Sequence, residues 1–129
     1  MSQKKAILIV DDDAIMLSLL SKTLASVYKE EYIFKTALSA REGLEIVEEL
    51  INSGVVIPLI ISDWLMPEMK GDEFILKIHE LHPEINTMMI SGYAAPDVIE
   101  RICAKLNLKS FITKPWDVNF LISEINKCL

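Results

Sequence analysis

An open α/β fold, with a parallel five-stranded sheet covered by helices on both faces, is predicted by three features of this sequence. Strand-like apolar runs alternate with segments of helical period five times along the chain. No two strand segments are joined by the short Asn/Gly turn of an antiparallel hairpin. Three of the runs also end in polar residues, two in aspartate and one in lysine. Residues 6–10 run into Asp11-Asp12-Asp13, residues 58–62 into Asp63, and residues 111–113 into Lys114-Pro115. A parallel sheet gathers such ends at its carboxyl edge, where open α/β folds place their ligand sites. Clustered carboxylates would then stand beside one ammonium, a set suited to a divalent cation and a phosphoryl group.

Each element carries its own signal. Residues 5–10 read as a buried strand from their continuous Ile, Leu and Val. From about residue 14 to 29, Ile15, Leu19, Leu20, Leu24 and Val27 recur at helical intervals. Residues 32–37 form a second strand, rich in aromatic and β-branched side chains. Ser39-Ala40-Arg41-Glu42 is a capping box that opens a helix with the stripe Leu44, Val47, Leu50 and Ile51, ended by Gly54. Residues 56–62 are the third strand, followed by a loop over 63–71 with Pro67 and Gly71 as breakers. Phe74, Ile75, Ile78 and Leu81 give the next helix its inner face, and Pro83 closes it. Residues 87–90 make the fourth strand, ending at Ser91-Gly92. Pro96 starts a helix that turns Val98, Ile102 and Leu106 inward, proline being well tolerated in a first turn. Residues 109–113 are the fifth strand, and a last helix presents Val118, Leu121, Ile122 and Ile125.

Composition narrows the function classes. At 129 residues, 51% hydrophobic and 25% charged, the chain suits one globular domain over 1–129, with no linker, repeat or low-complexity segment. Asp, Lys or Glu interrupts every apolar run before it could span a membrane. The apolar stretch after the basic N-terminus stops at Asp11, too soon for a signal peptide, so a cytoplasmic location is expected. A formal net charge of −6 argues against direct nucleic-acid binding. Cys103 and Cys128 lack metal-ligand or redox spacing and read as core or near-surface thiols. His79 and His82 fall near the end of a helix, an ordinary place for them.

The ordered set Val10-Asp11-Asp12, Ser62-Asp63-Trp64-Leu65-Met66-Pro67, Gly71, Ser91-Gly92 and Lys114-Pro115 resembles the receiver domain of two-component response regulators. The resemblance runs from about residue 5 to 129. It implies a flavodoxin-like, doubly wound (βα)5 fold with strand order 2-1-3-4-5, the order of the chemotaxis receiver. It also implies that Asp63 accepts a phosphoryl group from a sensor histidine kinase or a phosphotransfer protein. By the same resemblance Asp12 binds Mg²⁺ (or Mn²⁺) directly and Asp11 through water, with Asp63 and the Leu65 backbone carbonyl completing the protein shell. Lys114 and Ser91 would meet the phosphoryl oxygens, and the Lys114–Pro115 bond would be cis. Ser91 and Phe111 form the implied switch: the hydroxyl moves toward the phosphate and the aromatic turns inward, at a position where tyrosine is common. The face made by the fourth helix, fifth strand and fifth helix would then change shape. An output domain, a target protein or a second copy would dock there, with Glu100, Arg101, Lys105, Lys109 and Glu124 as exposed contacts. Such a domain is not an enzyme, since it catalyses only its own phosphorylation and dephosphorylation.

The chemistry of these residue types agrees with that role. A carboxylate is a competent nucleophile toward phosphorus, and a hard cation takes oxygen ligands. Carboxylates crowded together without a cation should raise at least one pKa. An ammonium compensates the charge that spreads over phosphoryl oxygens during transfer. Asp13 suits the N-cap of the first helix better than a ligand role. Leu65 and Tyr93, both bulky, flank the acceptor and Ser91 loops and are expected to hinder water from attacking an acyl phosphate. A haloacid-dehalogenase-like phosphatase would share Asp11-x-Asp13, Ser91 and a lysine, but the expected Thr and the last acidic pair are missing and Asp63 would be idle. A pseudo-receiver that binds proteins without phosphorylation is the other alternative, although its acid set would normally be incomplete. A flavin carrier lacks its phosphate loop after the first strand.

Overall fold

The computed structural model describes residues 3–92 and 94–129. Its elements in chain order are β1 (Lys5–Val10), α1 (Ala14–Tyr28), a single 3-10 turn (Lys29–Glu31), β2 (Ile33–Ala37), α2 (Ala40–Asn52), β3 (Val56–Ser62), α3 (Gly71–Leu81), β4 (Asn86–Ser91), α4 (Pro96–Leu106), β5 (Ser110–Thr113) and α5 (Val118–Cys128). The five strands form one parallel sheet in the order β2-β1-β3-β4-β5, as the resemblance implies.

Alternation along each strand divides the core between the two faces of the sheet. Leu8, Val10, Ile60 and Met89 point to one face and pack with Val47, Leu50, Phe74, Ile75, Ile78 and Leu106 from α2, α3 and α4. Ile7, Ile9, Ile61, Met88, Ile90 and Ile112 point to the other and meet Leu17, Leu20, Leu24, Leu121 and Ile125 from α1 and α5. Burial on both faces explains why the strands are continuously apolar. It also fixes the register, because a slip of one residue would turn every strand side chain to the wrong face. Val10 lies opposite Ala37 and Ser62, Ser62 opposite Met89, and Met89 opposite Phe111. Asp11 and Asp63 directly follow Val10 and Ser62, and Ser91 and Lys114 come two and three residues after Met89 and Phe111, so all four emerge at one edge of the sheet.

The helix starts follow their caps. The Asp13 side chain accepts from the N–H groups of Ile15 and Met16 at 3.0 and 3.2 Å, the capping role expected of it. Ser39 caps α2 by accepting from the Glu42 N–H at 3.1 Å, while Glu42 reaches back to the N–H of Leu38 rather than Ser39. Gly54, just past the end of α2, takes φ +79°, a conformation glycine adopts without steric cost.

Several expected inward residues lie outside. The buried stripe of α1 is Leu17, Leu20, Leu24 and Tyr28, whereas Ile15, Leu19 and Val27 are exposed. An apolar-rich helix offers two stripes of the same period, and only contact with the sheet selects one. Leu81 and Val118, at the last position of α3 and the first of α5, extend beyond the sheet and are exposed. Strand and helix ends shift by one residue from the expected ones. α1 stops at Tyr28 where Lys29 turns to φ 55°, β2 starts at Ile33, β4 spans Asn86–Ser91 and β5 starts at Ser110.

Polar ties fasten α5 to three neighbours. The Tyr28 hydroxyl donates to Asn126 Oδ1 at 2.6 Å, Asn86 Nδ2 donates to the Cys128 carbonyl at 2.7 Å, and the Ser110 hydroxyl donates to Glu124 Oε1 at 2.8 Å. Glu124, expected as an exposed contact, is thus a mostly covered strut, also bonded to Lys127. Glu100, Arg101, Lys105 and Lys109 are exposed as expected. In α4 only Leu106 is fully buried, with Val98 and Ile102 half-buried, and its N-cap, Ala95, has no side chain with which to cap.

Cys103 is half-buried and Cys128 buried, both as free thiols. His79 bonds the Thr87 hydroxyl at 3.0 Å and His82 meets Glu48 at 2.9 Å, ordinary structural roles. Among the described residues no helix is long and apolar enough to cross a membrane. Because α1 buries Leu20 and exposes Ile15, Leu20→Ala should cost about 2–5 kcal/mol and Ile15→Ala no more than about 0.5 kcal/mol. Urea denaturation of the two variants checks which stripe faces the sheet.

Candidate functional site

Asp11, Asp12, Asp63 and Lys114 are each the first or second residue beyond a strand, and Ser91 is the last residue of one. The Asp11 N–H donates to the Ala37 carbonyl at 3.1 Å, and the Asp63 N–H donates to the Val10 carbonyl at 2.8 Å, so both acids prolong the β1 ladder. The Lys114 N–H donates to the Ser91 carbonyl at 2.6 Å, which joins the β5 and β4 ends in the same way. The Lys114–Pro115 peptide is cis, as the resemblance implies.

These placements bring the carboxylates together. Asp11, Asp12 and Asp63 each present an oxygen, and the three lie within 4.8 Å of one another. Asp11 and Asp63 are only 6% and 8% exposed, whereas Asp12 is open to solvent. The Lys114 ammonium sits 3.1 Å from Asp11 Oδ2 and 3.6 Å from Asp63 Oδ1. Met16, Leu17 and Trp116 complete the cleft beside them. Ser91, the last residue of β4, is buried and in register with Thr113. Leu65, two residues after Asp63, is exposed, and Tyr93 lies outside the described residues.

Burial and charge decide the protonation behaviour. Burial and the Asp11 carboxylate push Asp63 up from an ordinary 3.8 to about 6, with Asp12 adding to the rise. The Lys114 ammonium and the Trp64 N–H oppose that shift without cancelling it. Burial works to lower the pKa of Lys114, but its bonds to Asp11 and Asp63 outweigh this and leave it raised. The site is thus acid-rich, with one firmly protonated cation against three carboxyl groups. Three hard oxygen donors in one place fit a divalent cation such as Mg²⁺, which binds through carboxylates and keeps several waters.

The loop after Asp63 is held from the far side by Gly71. Its N–H donates to the Trp64 carbonyl at 2.7 Å, and a Cβ there would lie 2.0 Å from the Asp63 carbonyl oxygen. No side chain fits that approach, so Gly71 acts as a close-contact residue and not merely as a helix breaker. Trp64, quoted in the sequence motif but given no role there, donates its N–H to Asp63 Oδ1 at 2.9 Å. Its ring meets that of Phe111 edge-on, with centroids 6.1 Å apart at 88°. Phe111 itself is half-buried against the core. Adjacency to Asp63 was the one sequence signal for Trp64, and nothing in periodicity pointed to its ring contact. Met16 and Trp116 had no signal beyond proximity to the Asp and Lys motifs.

A family profile described as the response regulator receiver domain matches residues 7–126 of this chain. The chain belongs to the response regulator receiver domain family. It is 32% identical over 125 residues to the response regulator receiver protein CpdR of Brucella abortus (strain 2308), covering 97% of each chain. To the chemotaxis protein CheY of Thermotoga maritima it is 31% identical over 124 residues, covering 95% of this receiver and 96% of that protein. A CheY-like receiver domain structure from Methanospirillum hungatei JF-1 superposes with a TM-score of 0.79 at 29% identity, covering 98% of this chain and 93% of that one. Other relatives are much longer: the chain spans 12% of the sensor kinase CckA of Brucella abortus and 27% of the transcriptional regulatory protein GlrR of Escherichia coli (strain K12).

The raised pKa of Asp63 has a signed consequence for this receiver without metal. A carboxyl that holds its proton more tightly folded than unfolded makes stability fall as pH rises from about 4 to about 6. With solvent screening allowed for, that fall should amount to about 1–2 kcal/mol. Urea denaturation in chelator across this window should show it, and Asp63→Asn should remove it; an unchanged pH profile in the variant would refute the assignment.

Proposed function

We propose that Asp63 is the phosphoacceptor of this receiver and that a phosphohistidine on a sensor kinase or a phosphotransfer protein is its donor. The observation that carries the reading is the juxtaposition of three carboxylates within 4.8 Å with the Lys114 ammonium 3.6 Å from Asp63. An oxygen of the Asp63 carboxylate attacks phosphorus, the donor's N–P bond breaks, and its electron pair returns to the imidazole nitrogen, which takes up a proton. The product is an acyl phosphate on Asp63. At neutral pH, above the value of about 6, Asp63 is mainly ionised and so competent to attack. The Trp64 N–H and the Lys114 ammonium both lie on Asp63 Oδ1 and orient the carboxyl group before the donor arrives.

Asp11, Asp12 and Asp63, with the Leu65 carbonyl, would hold Mg²⁺, which when bound offsets the negative charge that otherwise repels a phosphoryl group. Lys114 compensates charge on the transferred oxygens, and the Ser91 hydroxyl offers them a hydrogen bond. The free thiols suit the reducing cytoplasm, which is the proposed location. The modified receiver acts by displaying a changed α4–β5–α5 face to an output domain, a target protein or a second copy. It remains a signalling domain, with no substrate turnover beyond its own acyl phosphate.

Incubation with radiolabelled acetyl phosphate and Mg²⁺ tests the reading. Wild type should acquire a base-labile label that is absent in Asp63→Asn and in chelator; a label that persists in Asp63→Asn would refute it. Lys114→Ala should slow labelling by about 10²-fold or more. The exposed Leu65 side chain, two residues after Asp63, motivates a further expectation about lifetime. Leu65→Asn combined with Tyr93→Ala should release phosphate faster than wild type from the Mg²⁺-bound domain, and equal rates would dismiss the shielding role of these two residues.

A further inference from the structure

We infer that Trp64 is a positioning residue that couples the chemical state of Asp63 to the placement of Phe111. The inference rests on Asp63 being the phosphoacceptor and goes beyond it by naming the path to the responding face. Trp64 is tied at both ends. Its N–H donates to Asp63 Oδ1 at 2.9 Å, and its carbonyl accepts from the Gly71 N–H at 2.7 Å. Gly71 approaches so closely that a Cβ there would lie 2.9 Å from the Trp64 Cα. The peptide of Trp64 therefore cannot shift without the acceptor loop, and the loop cannot shift without Trp64. At the far end of the side chain the indole edge rests on the Phe111 ring, centroids 6.1 Å apart. Both rings are half-buried on the face of the sheet covered by α2, α3 and α4, where Ile102 and Cys103 of α4 also pack.

The chemistry of modification acts on one end of this link. An N–H bond to a carboxylate is charge-assisted and about twice as strong as its neutral counterpart. When Asp63 becomes an acyl phosphate, its carboxyl loses that charge to the phosphoryl oxygens. The hold on the Trp64 N–H weakens while the Gly71 bond remains, so the Trp64 peptide and the loop tied to it re-seat together, and the ring edge moves with them. Phe111 carries no hydroxyl with which to pair polar groups on the neighbouring strand, so its edge-on packing against Trp64 is a contact through which it can respond. Edge-to-face packing is directional, and displacement of one ring biases the position of the other.

The test uses the full chain labelled with 4-fluorophenylalanine at its four phenylalanines, with Mg²⁺ and beryllofluoride as the phosphoryl mimic. Fluorine NMR reports the bound beryllofluoride and the phenylalanine resonances in one spectrum, and Phe111→Leu assigns the relevant signal. In wild type the Phe111 resonance should move on saturation, while that of Phe34, on the distant edge strand β2, stays in place. Trp64→Leu should reach the same beryllofluoride occupancy with the Phe111 displacement lost or greatly reduced. Trp64→Phe, whose shorter ring stops short of Phe111, should show the same loss and serves if the leucine variant does not fold. A full Phe111 displacement in either folded variant overturns the inference, as does a Trp64 variant that no longer binds beryllofluoride. Bound mimic with an unmoved Phe111 in wild type overturns it too. Absence of bound mimic in wild type is a separate result, which removes the phosphoacceptor reading itself.

Discussion

Crowded negative charge at the carboxyl edge of the sheet is the constraint on which the rest of this receiver depends. Asp11 and Asp63 are nearly buried, Asp12 stands beside them, and Lys114 supplies a single positive charge against the three. Left to themselves these groups would separate or take up protons, and burial first, with the Asp11 charge second, pushes Asp63 up to about 6. What holds them in place is the apolar register beneath. Val10 pairs with Ser62 because Leu8, Val10 and Ile60 must face one helical layer and Ile7, Ile9 and Ile61 the other. The unfavourable charge arrangement is thus maintained by burial of apolar side chains beneath it.

The close approach at Gly71 plays a complementary part. It lets the loop after β3 fold back on Asp63 and Trp64 with no side chain between, so backbone braces Asp63 on the side away from Lys114. The strand ends set where the acids are, and this loop sets how one of them is oriented. Lys114 belongs to both arrangements, since its main chain closes the β4–β5 edge while its ammonium bridges the β1 and β3 acids.

Most of this organisation was legible in the sequence, for physical reasons. Strands buried on both faces read as unbroken Ile, Leu and Val, and a polar residue just after such a run has only the sheet edge to occupy. Asp11, Asp63 and Lys114 could therefore be grouped although far apart in the chain. Strand order came from the family resemblance, because periodicity holds no record of which strands are neighbours. The inward stripe of α1 was misread, since Ile15 and Leu19 satisfy the same spacing as Leu17, Leu20 and Leu24 and only the sheet discriminates. Leu81 and Val118 were placed inside by pattern, yet they sit where their helices overrun the sheet. Glu124 resembled a solvated charge until Ser110, on the adjoining strand, proved to be its partner. The edge contact of Trp64 with Phe111 joins residues from two loop and strand ends, and no local pattern encodes such a meeting.

The fastening of α5 has a consequence for how this surface can be read. Bonds from α1, β4 and β5 clamp its C-terminal half, whereas α4 is seated mainly through Leu106 at its own end. A rearrangement of this face would pivot on α5, with α4 as the lever. A companion protein that grips both helices would sense the angle between them, and one that touches α5 alone would be blind to the signal.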